Sequence, residues 1–142
     1  YFTKIIGCVA SIKFYNDSIA TIPHAVECAV EALGDVDTLI FGGMDRGIDY
    51  SGFEKYLERC NVRNIIGMPD TGVNICNTLL ERGCTKNIII ANNMEEAVDA
   101  AFRFTQKGKS CIMSPAASSY NVYKDFEDKG NHYKALVKAW KE

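Results

Sequence analysis

Three segments of the sequence gather small polar side chains, glycines and a lone cation in a pattern suited to holding an anion. The first is Asn16-Asp17-Ser18-Ile19-Ala20-Thr21-Ile22-Pro23, short polar side chains just ahead of a proline of the kind that opens helices. Free amides at a helix start favour negative charge, so the stretch suits a carboxylate or phosphate. The plainer role is that Asp17, Ser18 or Thr21 caps that helix. The second segment is Gly42-Gly43-Met44-Asp45-Arg46-Gly47-Ile48-Asp49-Tyr50. Its paired glycines permit a tight turn, and Arg46 offers a planar fork of donors to a carboxylate or phosphate. A glycine-rich turn with an exposed arginine also occurs with no such role. The third segment is Ser114-Pro115-Ala116-Ala117-Ser118-Ser119-Tyr120-Asn121, followed by the polar run Lys124-Asp125-Phe126-Glu127-Asp128-Lys129-Gly130. Small side chains let a ligand approach the backbone, and serine donates without bringing charge. Its plainer reading is a Ser-Pro turn followed by a helix cap.

These segments hold no nucleophile with its base. Gly108-Lys109-Ser110 imitates the end of a phosphate-binding loop, but Arg103 stands where the first glycine belongs, and the tripeptide precedes a strand instead of opening a helix. Neither a dinucleotide fingerprint nor a nucleophile elbow is present, and His24 and His132 have no serine or cysteine partner identifiable from spacing. His24 and Cys28 stand four apart and can share a helix face, yet two ligands do not make a zinc site. The chain reads as a holder of an anion, and as a helper in holding a nucleotide bound mainly elsewhere.

The elements that must position these segments follow from the apolar pattern. Short isoleucine-rich runs at Asp37 to Phe41, Asn64 to Ile66, Asn87 to Ala91 and Ser110 to Met113 read as strands, spaced to leave one helix in each gap. Phe53, Tyr56, Leu57 and Cys60 form a helical stripe, as do Met94, Ala97, Val98, Ala101 and Phe102. Ile75, Cys76, Leu79 and Leu80 give a weaker stripe ending at Gly83, and Tyr133, Leu136, Val137 and Trp140 form a last helix. Upstream, Ile5 to Val9 and Ile12 to Tyr15 read as two strands joined by Ala10-Ser11, before a helix from about Ile22 to Leu33 with Pro23 in its first turn and Gly34 at its end. The pattern predicts an α/β domain: a Rossmann-like, doubly wound, mostly parallel sheet with helices on both faces and an N-terminal β-hairpin. In such sheets ligands bind beyond the carboxyl ends of the strands, where all three polar segments fall.

Composition sets the outer bounds. The chain has 142 residues, 47% of them hydrophobic, enough for one domain, 1–142, with its own core. A net charge of −2 argues against broad attraction to nucleic acid or anionic lipid. The longest apolar run, Ile88 to Ala91, is far below the ~20 residues of a membrane span, so no membrane insertion is expected. The six cysteines form no C-x-x-C pair and mostly lie in apolar runs, which predicts reduced, buried thiols and a cytoplasmic home. Without an initiator methionine, the chain reads as a piece of a longer protein.

In this order the segments Phe14 to Thr21, Gly42 to Tyr50, Ser114 to Tyr120 and Phe126 to Asn131 resemble the C-terminal domain of the Mur ligases, most closely the D-glutamate-adding branch. The resemblance implies an amino-acid-binding domain of a three-domain, ATP-dependent ligase of peptidoglycan synthesis. Such an enzyme adds D-glutamate to UDP-N-acetylmuramoyl-L-alanine through an acyl phosphate. It also implies that ATP and Mg2+ are bound mainly outside this chain and that the chain alone is inactive. Carried over by position, Thr21, Arg46, Ser119, Tyr120 and Phe126 would hold D-glutamate, and Asn16 and Asp17 would reach the nucleotide ribose. Two departures stand out: the family commonly has lysine where Ile19 stands, and usually lysine where Arg46 stands. Other readings are another Mur ligase, a folylpolyglutamate synthase, or a stand-alone binding module.

Overall fold

The computed structural model describes residues 3–140. The chain opens with a hairpin, β1 (Lys4–Val9) and β2 (Ile12–Asn16), turned by Ala10 and Ser11, which both sit in the left-handed region as two-residue hairpin turns require. Strands and helices then alternate: α1 (Pro23–Leu33), β3 (Val36–Phe41), α2 (Ser51–Arg59), β4 (Asn64–Gly67), α3 (Thr71–Glu81), β5 (Asn87–Ile90), α4 (Met94–Phe104), β6 (Ser110–Met113) and α5 (Phe126–Ala139). The six strands form one sheet in the order β1-β2-β6-β3-β4-β5, with β1 antiparallel and the rest parallel. This is the expected α/β fold with its N-terminal hairpin.

Both faces are covered, and the strands show how. Leu39 and Phe41 of β3 pack with Val26, Phe53, Leu57 and Leu79 of α1, α2 and α3, while Ile40 between them packs with Met94, Ala97 and Tyr133 of α4 and α5. Successive strand residues point to opposite faces, so β3, β4 and β6 are buried throughout, with apolar residues at their carboxyl halves and polar ones, Asp37, Thr38, Asn64 and Ser110, at their amino ends. Each fully buried side chain of the size of Leu57 contributes about 1.5–3 kcal/mol. The outer strand β5 is only partly covered.

Two expectations need correction. The last helix begins at Phe126, about two turns before the stripe at Tyr133, because Asp125 caps it by accepting from the Asp128 amide at 2.9 Å. Only Cys76 and Cys111 are buried among the six cysteines; Cys8 and Cys28 are exposed, Cys60 and Cys84 intermediate, and all are free thiols. Burial pushes the Cys76 and Cys111 thiols up to about 12.

The amino edge of the sheet is a closed polar network. Asp37, with no exposed side-chain surface, accepts from Arg63 Nε at 2.6 Å, from Arg63 Nη2 at 2.8 Å and from the Gln106 amide at 2.7 Å. Beside it Asn64 donates to Thr38 Oγ1 and to the Phe104 carbonyl, both at 3.0 Å. Asp35 accepts from Ser110 Oγ at 2.8 Å and pairs with Lys13. Burial alone would push the Asp37 carboxyl up, but Arg63 and the Gln106 amide outweigh it and hold it below the ordinary carboxylate value. Gly108-Lys109-Ser110 lies at this same edge, where the Gly108 amide donates to Ser11 at 2.7 Å. No helix among the described residues is long and apolar enough to cross a membrane.

Candidate functional site

The strand order assembles the rim. β2, β6 and β3 are consecutive neighbours and parallel, so their carboxyl ends, and the three polar segments that follow them, emerge side by side. The β6 segment is the middle piece and is bonded to both others. Its Ala116 amide donates to Ala20 at 2.9 Å, and the Ser118 carbonyl accepts from Met44 at 2.7 Å. The Pro115 carbonyl accepts from Gly42 at 2.8 Å, and Tyr50 Oη donates to the Ala116 carbonyl at 2.8 Å. Small residues make this possible: a Cβ on Gly43 would lie 2.2 Å from the Ser118 carbonyl oxygen, and one on Gly42 would lie 2.3 Å from that of Met68.

Within this frame the candidate residues have different surroundings. Thr21 is half-buried and directly follows Ala20, whose carbonyl the Ala116 amide meets. The capping role considered for Asp17, Ser18 and Thr21 is not what they perform, because α1 is capped at Ile22 with no side-chain hydrogen bond. Asp17 is fully buried and its Oδ2 accepts from Ser114 Oγ at 2.7 Å, tying the β2 segment to the β6 segment. Arg46 is exposed, two residues beyond the Met44 anchor. Ser119 is 2% exposed and its hydroxyl has no hydrogen-bond partner. A buried donor without a partner costs about 1–3 kcal/mol, so such a group points to a ligand that completes it. Tyr120 follows, 62% exposed.

Beside the rim lies an open cleft of about 680 Å³, lined by Lys4, Asn16, Ser18, Ile19, Phe126, Glu127 and Asn131. Of the candidate residues, Asn16 and Phe126 line it, whereas Thr21, Arg46, Ser119 and Tyr120 belong to the rim outside it. The cleft exists because α5 closes against the end of β2 at Gly130, where a Cβ would stand 2.6 Å from Ser18 Oγ and 2.7 Å from Asn16 Nδ2. Asn16 also turns its own loop, its Oδ1 accepting from the Ser18 amide at 3.1 Å. Ile19 is 49% exposed on the cleft wall and brings no charge there.

The sequence reading passed over Lys129. It is 2% exposed, its Nζ donates to the Gly42 carbonyl, and it lies 5.9 Å from the centre of the Tyr123 ring. Burial lowers its pKa to about 8. The signal that finds it is helical spacing: Phe126, Lys129, Tyr133 and Val137 share one stripe of α5, so a cation occupies an inward position.

The arrangement can grip an anion with one guanidinium, buried and half-buried hydroxyls and backbone amides. Among the described residues no cluster of three His, Cys, Asp or Glu side chains comes together, and His24 Nε2 and Cys28 Sγ lie 3.5 Å apart on α1.

No protein-family model matches the chain. Curated relatives do. A protein of Caldanaerobacter subterraneus subsp. tengcongensis is 36% identical over 135 residues, covering 94% of this chain and 30% of the relative. One of Exiguobacterium sibiricum is 33% identical over 131 residues, covering 92% of this chain and 28% of the relative. Both are named UDP-N-acetylmuramoylalanine–D-glutamate ligase. The chain thus spans about three tenths of the length of the curated relatives it matches. A crystal structure of a murein peptide ligase from Psychrobacter arcticus aligns with 98% of this chain and 30% of its own, at a TM-score of 0.54 and 12% identity, a likeness of fold.

Proposed function

From the premise that this chain is homologous, along nearly its whole length, to one segment of the D-glutamate-adding Mur ligases, we propose that it is their amino-acid-binding, C-terminal domain. The parent is then a three-domain, cytoplasmic, ATP-dependent ligase that joins D-glutamate to UDP-N-acetylmuramoyl-L-alanine in peptidoglycan synthesis. ATP supplies the phosphoryl group that turns the alanine carboxylate into an acyl phosphate. The amine of D-glutamate attacks that carbonyl and loses a proton as inorganic phosphate leaves. Triphosphate and Mg2+ fall to the rest of the parent.

The task of this chain is to orient the nucleophile. Arg46 faces solvent and can fork onto one carboxylate with the Thr21 hydroxyl, while Ser119, the backbone around Tyr120, and Phe126 take the other. A dicarboxylate held at both ends leaves its amine free and aimed, and orientation is a large part of the rate of an acyl transfer. Asn16, on the cleft wall, is the residue open to a nucleotide ribose, while Asp17 next to it is buried and bonded to Ser114.

The observation that carries this reading is the hydroxyl of Ser119, buried and unpartnered within a rim whose three segments are tied together by backbone hydrogen bonds. Phosphate release by the full-length parent, given ATP and the UDP-sugar acceptor, tests it. Release should depend on D-glutamate. A parent that ligates L-amino acids and ignores D-glutamate overturns this reading in favour of another ligase of the same fold. A parent whose sequence lacks a phosphate-binding loop ahead of this chain overturns it in favour of a non-catalytic module.

A further inference from the structure

Lys129 is the buried charge that the grip described above does not use. A methionine of similar length would fill its space without the cost of desolvating an ammonium. No carboxylate lies within 4.0 Å of Lys129 Nζ among the described residues, and its one hydrogen bond runs to a neutral carbonyl, that of Gly42. The titratable side chains that share its small cleft are Tyr123, whose hydroxyl meets His132 Nδ1 at 2.7 Å, then His132 itself and Glu95, 3.3 Å from His132 Nε2. Glu95 is therefore engaged with His132 and not with the ammonium.

The position of its partner gives this charge a use. Gly42 is the first residue beyond β3, and the Arg46 loop departs from it. Its amide donates to Pro115 in the β6 segment, and its Cα stands so close to the end of β4 that no side chain fits there. Gly42 is thus held from the β6 and β4 sides, and Lys129 holds it from α5 through the carbonyl. The peptide plane that Lys129 fixes, between Gly42 and Gly43, is the one that sets the direction in which residues 44–46 leave the sheet. An ammonium with no carboxylate within 4.0 Å among the described residues also places a positive charge at the base of that loop, which favours an acidic amino acid there.

We propose that Lys129 is a positioning residue for the acidic amino acid, aiming the Arg46 loop through the Gly42 carbonyl and keeping a positive charge beneath the rim; this rests on the function proposed above. Its effect is on binding of the amino acid and not on binding of the nucleotide.

The test is steady-state phosphate release by the full-length parent, with the amino acid and ATP varied separately, for the unaltered protein, Lys129→Met and Lys129→Arg. Lys129→Met should raise the KM for D-glutamate about tenfold while kcat and the KM for ATP stay within about twofold, and Lys129→Arg should return the KM to within about threefold of the unaltered value. An unchanged KM for D-glutamate in Lys129→Met, or equal rises in both KM values, overturns the role given to Lys129. If Lys129→Met does not fold, Lys129→Gln replaces it and is read in the same way. No amino-acid-dependent release from the unaltered parent overturns the proposed function itself, an outcome distinct from an active enzyme whose KM ignores residue 129.

Discussion

At the amino edge of the sheet a buried carboxylate, Asp37, receives a two-pronged guanidinium and a backbone amide; at the carboxyl edge a buried ammonium, Lys129, receives one neutral carbonyl, and the buried hydroxyl of Ser119 receives nothing. The two edges belong to the same strands and differ in how completely their polar groups are satisfied. A group whose partners are all supplied by the fold contributes to stability. A group whose partner is missing costs stability until something else supplies it, and in a functional protein that something is a ligand. The amino edge is therefore structural, and the carboxyl edge is where binding is to be sought.

Substitutions at the two edges should separate stability from binding. The largest effect is expected for Asp37→Ala, which removes the acceptor of four hydrogen bonds and should lower the stability of the chain to urea by about 3 kcal/mol. Because its carboxyl is held below the ordinary value in the folded state, this stabilisation is present above the usual aspartate range and is lost as pH falls through the lowered value. The variant should accordingly show a shallower loss of stability in acid. A variant as stable as the original would break the comparison on the structural side.

Next in size, Arg46→Ala in the full-length parent should raise the KM for the amino acid about thirtyfold and leave that for ATP nearly unchanged, since Arg46 is exposed in a loop anchored two residues earlier. Equal effects on both substrates would place Arg46 in closure of the parent instead of in the grip. The β6 segment then offers a contrast between two serines. Ser114→Ala breaks the buried hydrogen bond to Asp17 and should cost about 1.5 kcal/mol in a thermal or urea melt. Ser119→Ala loses no bond and should change stability by less than about 0.5 kcal/mol, while raising the KM for the amino acid severalfold. A Ser119→Ala variant that melts early with normal KM would turn that hydroxyl into an ordinary structural group.

The strands and the hairpin were legible in the sequence because parallel strands covered on both faces carry short apolar runs, as Leu39 to Phe41 and Cys111 to Met113 do. The same logic put three polar segments at one edge. The start of α5 was not legible, because Lys124 to Gly130 is as polar as a loop and its helical character comes from the Asp125 cap and from packing of Gly130 on Asn16 and Ser18. Cys8 and Cys28 sit among apolar neighbours in sequence yet face solvent, since a stretch of apolar residues does not say which of its members points inward.

By itself the sequence determined the alternation of strand and helix, the hairpin, and the identity of three loops rich in small and polar residues, all properties of local pattern. The order in which the strands lie belongs to the tertiary structure. By inserting β6 between β2 and β3 it joined those loops into one rim, left Ser119 buried without a partner, buried Asp17 beside Asn16, and carried Lys129 under Gly42. Periodicity along a chain fixes which face of an element is apolar, but satisfaction of a buried polar group depends on residues tens of positions away, which only packing brings within reach.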